Sequence, residues 1–199
     1  MEKETLFTSA KWNILRALST GKKSPIELAE TANTSMSNIS QSLRFLELAG
    51  IVQSERISNR DKGQPRVVYS LAKDNAYLIV TATGLVDKKL LELDEHKKIM
   101  VSIWLYDQEA QHPFIEKAYL NIQEHLPIIQ GIYLDKTSLS ELSIHITFKE
   151  GKKKDIKPIS AEHNGLSRKV TYKSTTKEAI QKDKDSYYAL HDPKNTIRG

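Results

Sequence analysis

Cysteine is absent from the 199 residues of this chain. That excludes disulfide staples and every metal site built on thiolates. Long apolar runs are absent too, since none approaches the roughly 18 residues of a membrane span. The start, Met-Glu-Lys-Glu-Thr, lacks the basic and then apolar order of a secretory signal, so a cytoplasmic location is expected. Gly84 and Gly131 stand alone, and no glycine-rich phosphate loop surrounds either. No Ser/His/Asp order or convincing carboxylate pair appears. The chain is therefore not expected to be an enzyme or to carry a cofactor.

What is present is an ordinary apolar share, 39%, and a charged share of 28%. This is the composition of a soluble globular protein, long enough for one large domain or two small ones. Charge is unevenly placed. Residues 1–73 carry 11 Lys/Arg against 7 Asp/Glu, residues 74–148 carry 6 against 11, and residues 149–199 carry 13 against 7. Two basic segments flank an acidic middle. A basic segment suits a polyanion, because each neutralised phosphate releases counterions.

The apolar spacing of Trp12, Ile14, Leu15 and Leu18 predicts a first helix over Thr8–Leu18, stopped at Gly21. Ser24, Pro25 and Glu27 read as a capping box with proline at the first helical position, and that second helix runs to about Ala32. Asn33-Thr34-Ser35 forms a polar turn. A third helix follows to Ala49, its core face made by Ile39, Leu43 and Leu46, and Gly50 closes it. The opposite side carries Ser37, Asn38, Gln41, Ser42 and Arg44, with no acid before Glu47. Ile51–Ile57 and Arg66–Leu71 then read as strands. The loop between them carries Arg60 and Lys62, and Arg66 follows it.

The stretch from Leu28 to Val52, with Ser37-Asn38-Ile39-Ser40-Gln41-Ser42-Leu43-Arg44 at its centre, resembles the ArsR-type winged-helix regulators of bacteria and archaea. Gly63-Gln64-Pro65-Arg66-Val67-Val68-Tyr69-Ser70-Leu71 is similar to their wing and return strand. The resemblance covers residues 8–72 and extends to MarR-like and other archaeal winged helices. It implies double-stranded DNA as partner, a homodimer, and a regulatory role, with repression by promoter occupancy as the expected form. On this reading Ser37, Asn38, Gln41 and Ser42 face base edges, Gln41 and Asn38 being the best suited to pair with adenine. Arg44, Arg60, Lys62 and Arg66 hold phosphates. Tyr69 is assigned to packing.

Many relatives of this type sense metals through cysteines or His/Asp clusters. His96, His112, His125, His145, His163 and His191 show no such spacing here, and no metal site is expected.

From Asp74 to about Tyr106 the pattern predicts helix, with a break near Asp94. Leu78, Ile79, Ala82, Leu85, Val86, Leu90 and Leu93 form a broad apolar stripe suited to packing on the C-terminal domain or, in preference, to dimerisation. A helix is expected over 113–126, strands over Ile128–Leu134, Leu142–Phe148 and Lys169–Lys173, and a short helix over Thr176–Lys182. Lys152, Lys153 and Lys154 fall in a charged turn.

The fold class that results is α+β: an N-terminal winged helix-turn-helix (1–73), a helical linker (74–110) and a small C-terminal α/β domain (111–199). The last would serve as an effector or interaction domain for a small molecule or protein. Two other classes stay open. Gln130-Gly131-Ile132 and Glu141-Leu142-Ser143 faintly resemble the start of a nucleotidyltransferase fold. Ile132 replaces its serine there and Ser143 its second acid, so Glu141 alone would not bridge two magnesium ions. An adaptor whose winged helix binds protein is the third class.

Overall fold

The computed structural model describes residues 9–58, 66–138, 140–194 and 196–197. The chain divides into two compact units, Met1–Leu93 and Asp94–Gly199.

In the first unit three helices come first: α1 (Ser9–Ser19), α2 (Pro25–Thr31) and α3 (Met36–Leu48). Two antiparallel strands follow, β1 (Val52–Ile57) and β2 (Arg66–Leu71). Ile14, Ala17 and Leu18 of α1, Leu28 of α2, and Ile39, Leu43 and Leu46 of α3 meet in one buried core with Val52. Trp12, expected in that stripe, lies on the exposed side with the Arg16 guanidinium over its ring.

The capping box at Ser24 forms as the sequence indicates. The Ser24 N–H and hydroxyl both donate to Glu27 Oε2 at 2.6 Å, and the Glu27 N–H donates to Ser24 Oγ at 3.4 Å. Helix α3 ends in a Schellman motif: Gly50 at φ +68° lets its own N–H reach Glu47 O and the Ile51 N–H reach Leu46 O.

The segment expected as a long helix is instead a hairpin followed by a helix. β3 (Asn75–Ala82) pairs antiparallel with β4 (Leu85–Glu92), and α4 (Glu95–Trp104) begins after Asp94, whose carboxylate caps it. Leu78, Ile79, Ala82, Leu85 and Val86 fit helical spacing. They are compatible with a hairpin as well, because β3 is apolar or neutral at every position and β4 has apolar pairs toward both ends, Leu85-Val86 and Leu90-Leu91. Two local features decide the outcome. Ile79, Val80, Thr81 and Val86 are β-branched, and Thr83-Gly84 supplies a two-residue turn with Gly84 at φ +80°. The span expected as a linker, 74–110, is thus split at Leu93 between the two units.

The second unit opens with α4 and α5 (His112–Ile122), joined by a short 3-10 turn, and a further 3-10 stretch follows α5. Then come β5 (Ile129–Asp135), β6 (Leu142–Phe148), β7 (Ile159–His163), β8 (Leu166–Ser174), α6 (Lys177–Lys182) and β9 (Tyr187–His191). The five strands form one sheet in the order β7-β8-β6-β5-β9, in which only β6 and β8 run parallel. One sheet face, with Ile132, Leu134, Ile144, Ile146 and Val170, buries Ile99, Ile103, Ile115 and Ile122 of α4 and α5. Tyr133 and Ala189 on the other face pack against Ile180 of α6. Strands β7 and β9 are not among the expected ones: each is only five residues long, too short to show a period.

Among the described residues, no helix is long and apolar enough to cross a membrane.

Candidate nucleic-acid interface

Two turns set the pose of α3. Asn33, at φ +46°, reverses the chain after α2, and the Ser35 hydroxyl caps α3 by accepting from the Asn38 N–H at 3.3 Å. With Ile39, Leu43 and Leu46 held in the core, the other side of the helix is turned to solvent. Ser37, Ser40, Gln41 and Arg44 are exposed along it, spaced so that they share one face. None of these four side chains bonds to another described residue. The nearest acid, Glu47, accepts from the Ser54 hydroxyl at 2.6 Å and is drawn toward β1.

The other sequence-predicted residues divide. Asn38 is exposed, and its side-chain amide donates back to Thr34 Oγ1 at 2.9 Å. Ser42 is a correction: it is only 4% exposed, because it lies between Ile39 and Leu46 on the core side and cannot reach a groove. Arg66 is exposed at the first position of β2, opposite Ile57. Arg60 and Lys62 lie outside the described residues.

Three further side chains join this surface. Ser40 sits three residues after Ser37 and four before Arg44, a signal the sequence does carry. Lys11 of α1 lies with its Nζ 5.3 Å from the centre of the exposed Phe45 ring. Its place beside α3 depends on how two helices pack, which no local pattern reveals. Leu48 is 79% exposed and extends the outward face toward the end of the helix.

A backbone bridge ties the wing to the helices. Lys23 N–H donates to Tyr69 O at 3.0 Å, and Tyr69 N–H donates to Lys23 O at 2.8 Å. The Tyr69 ring packs on the helical core, and burial pushes its phenol up, with Glu47 adding to the effect.

The second unit places the residues that carry the nucleotidyltransferase resemblance as follows. Ser143 is fully buried, and Glu141 accepts from the Thr171 hydroxyl at 3.2 Å with Lys169 Nζ at 3.7 Å. Gly131 leaves room for an aromatic ring.

Three helices, a strand pair and an outward face on the third helix with no acid before Glu47 define a winged helix-turn-helix, the class of module that lays one helix in the major groove of DNA. Residues 8–54 match the family model described as bacterial regulatory protein, arsR family. The match spans the three helices and ends within β1, and it supports a DNA-binding transcription regulator. Comparison with curated proteins finds no match.

Proposed function

We propose that this chain is a homodimeric transcriptional repressor that places α3 in the major groove of a promoter and blocks it by occupancy. The observation that carries the reading is the exposed line Ser37, Gln41 and Arg44 on a helix whose opposite side is fixed in the core. Gln41 is suited to read an adenine through two hydrogen bonds, with Asn38, Ser37 and Ser40 beside it. Arg44, Arg66 and Lys11, together with Arg60 and Lys62, supply cations for phosphates.

A second copy is invoked because of the β3–β4 hairpin. A two-stranded sheet is marginal by itself in water. These strands pair only with each other among the described residues. Tyr77, Ile79, Val86 and Leu90 share one face, interrupted by Lys88 opposite Ile79, and all four are exposed, Val86 to 82%. Strand β3 carries no charge over its whole length, so nothing guards its free edge against pairing. Two copies joined here would present two recognition helices to half-sites one helical turn, about 34 Å, apart.

The test is selection of bound duplexes from a random pool, followed by titration at several salt concentrations. A palindromic consensus and a steep loss of affinity with salt are expected. Equal and salt-insensitive binding of all duplexes would overturn the reading and favour an adaptor that uses Phe45 and Leu48 to hold protein.

A further inference from the structure

The parallel pair β6 and β8 ends on one side of the sheet, with Ile146 level with Ser174. Ligands of open α/β sheets gather at the carboxyl ends of such strands. Here a cleft of about 740 Å³ opens at that place, within the range of small-molecule sites.

Its charge is one-sided. Lys149, Lys152 and Lys153 enter from the end of β6 and the turn after it, Lys177 from the first turn of α6, and Lys194 from the segment beyond β9. Only Glu150 and Glu178 oppose them. Lys149 donates to Pro127 O at 2.7 Å, and none of the five lysines forms an ion pair with a described carboxylate. The triple-lysine turn by itself would be an ordinary solvated loop. Lys177 and Lys194 come from distant sequence and converge on the same concavity, which an ordinary loop does not explain. Crowded like charges repel one another unless an anion lies between them. Ser174 and Thr175 line the same wall, and Phe148, packed against the edge of the sheet's core, lies beside them.

We propose that this cleft binds a small polyphosphate anion, of the nucleoside di- or triphosphate kind. The flexible lysine ammoniums meet the phosphate chain as point charges, Ser174 and Thr175 donate to its oxygens, and Phe148 offers a face to a planar ring. Binding here is independent of the helix-turn-helix, so it stands or falls separately from the DNA reading.

The experiment is calorimetric titration of the full chain, without DNA, using inorganic tripolyphosphate, ATP and orthophosphate as probes. Tripolyphosphate and ATP are expected to bind and orthophosphate to bind more weakly. The exposed-turn variant Lys152→Glu/Lys153→Glu should weaken both by about tenfold or more, and Lys177→Ala should weaken them in the same direction. The charge-matched control Lys157→Glu/Lys184→Glu, on exposed lysines outside the cleft, should leave them unchanged. Circular dichroism confirms that each variant is folded, and the single Lys152→Glu serves if the double variant is not. Absence of heat with both tripolyphosphate and ATP overturns the proposal. So does equal weakening by the control pair. Loss of duplex affinity in the turn variant without any tripolyphosphate binding also overturns it, and marks the lysines as a DNA-backbone contact instead.

Discussion

Tyr133 lies folded back over Gly131 on its own strand: a Cβ at position 131 would stand 2.6 Å from the Tyr133 hydroxyl oxygen and 2.7 Å from Cε2. The ring is only 1% exposed, its hydroxyl donates to Asp192 Oδ1 at 3.0 Å, and burial pushes the phenol up to about 12. Gly131→Ala should therefore destabilise the second unit by about 1–3 kcal/mol, the usual cost of overpacking a fixed core. Denaturant unfolding followed by tyrosine fluorescence measures it. A variant as stable as the parent would mean that the ring moves freely.

Base reading and phosphate holding separate by mutation. Gln41→Ala should reduce discrimination between the preferred duplex and single-base variants by about 1–3 kcal/mol. Arg44→Ala should instead weaken all duplexes alike and lower the salt slope by about 1. Fluorescence anisotropy on matched and mismatched duplexes distinguishes the two. Ser42→Ala should behave as a small core change, with duplex preference intact, since its hydroxyl faces inward.

The pose of α2 depends on its first turn. Ser24→Ala removes both the cap and the hydroxyl bond that, with the Ser24 backbone N–H, holds the Glu27 carboxyl below its usual range. A loss of about 1 kcal/mol is expected for such a cap, read by thermal unfolding. Asparagine or aspartate at the same place should recover most of it.

Histidine burial should make the second unit acid-sensitive. His145 is held below its ordinary 6.5 by burial, and Lys173 adds to this, against the opposing pull of Asp135 Oδ2 at 3.7 Å. Burial also lowers His191. A depressed native value means that the unfolded chain takes up the proton first. This contribution to stability is thus complete above 6.5 and is lost as pH falls through the lower native value. Unfolding midpoints should drop as pH falls below 6.5, and His145→Gln should flatten part of that slope. An unchanged slope in the variant would clear His145 of the effect.

The hairpin interface is tested by sedimentation. Val86→Glu/Leu90→Glu places acids among the exposed apolar residues of this face, at positions with no cation directly opposite, and should shift the chain toward monomer, with weaker binding to a palindromic duplex. A monomeric parent protein would end the dimer reading.

What the sequence made legible was whatever is fixed by local chemistry. Ser24, Pro25 and Glu27, the Asn33–Ser35 turn and Gly50 each act within a few residues, so the helices α2 and α3 could be bounded from spacing alone. The hairpin at 75–92 was not legible. Its apolar residues fit a period of 3.6, and only the β-branched run and Thr83-Gly84 argue for strands instead. Ser42 shows the same limit at the candidate site, for its polarity suggested solvent while its angular position on α3 put it inward. Lys11 reaches the interface through packing of α1 on α3, and the lysines of the cleft meet through the parallel register of β6 and β8. Neither can be inferred from neighbours in sequence.

The pair of backbone bonds joining Lys23 to Tyr69 has a mechanical consequence. It anchors the root of the wing to the connection between α1 and α2, so a pull on the wing is passed to the helices as a torque instead of being absorbed in a hinge. On the DNA reading, a strand of phosphates gripped at the wing would fix the tilt at which α3 enters the groove. Adjustment to an imperfect site would then fall to the duplex, and its bending stiffness would become part of what this module selects.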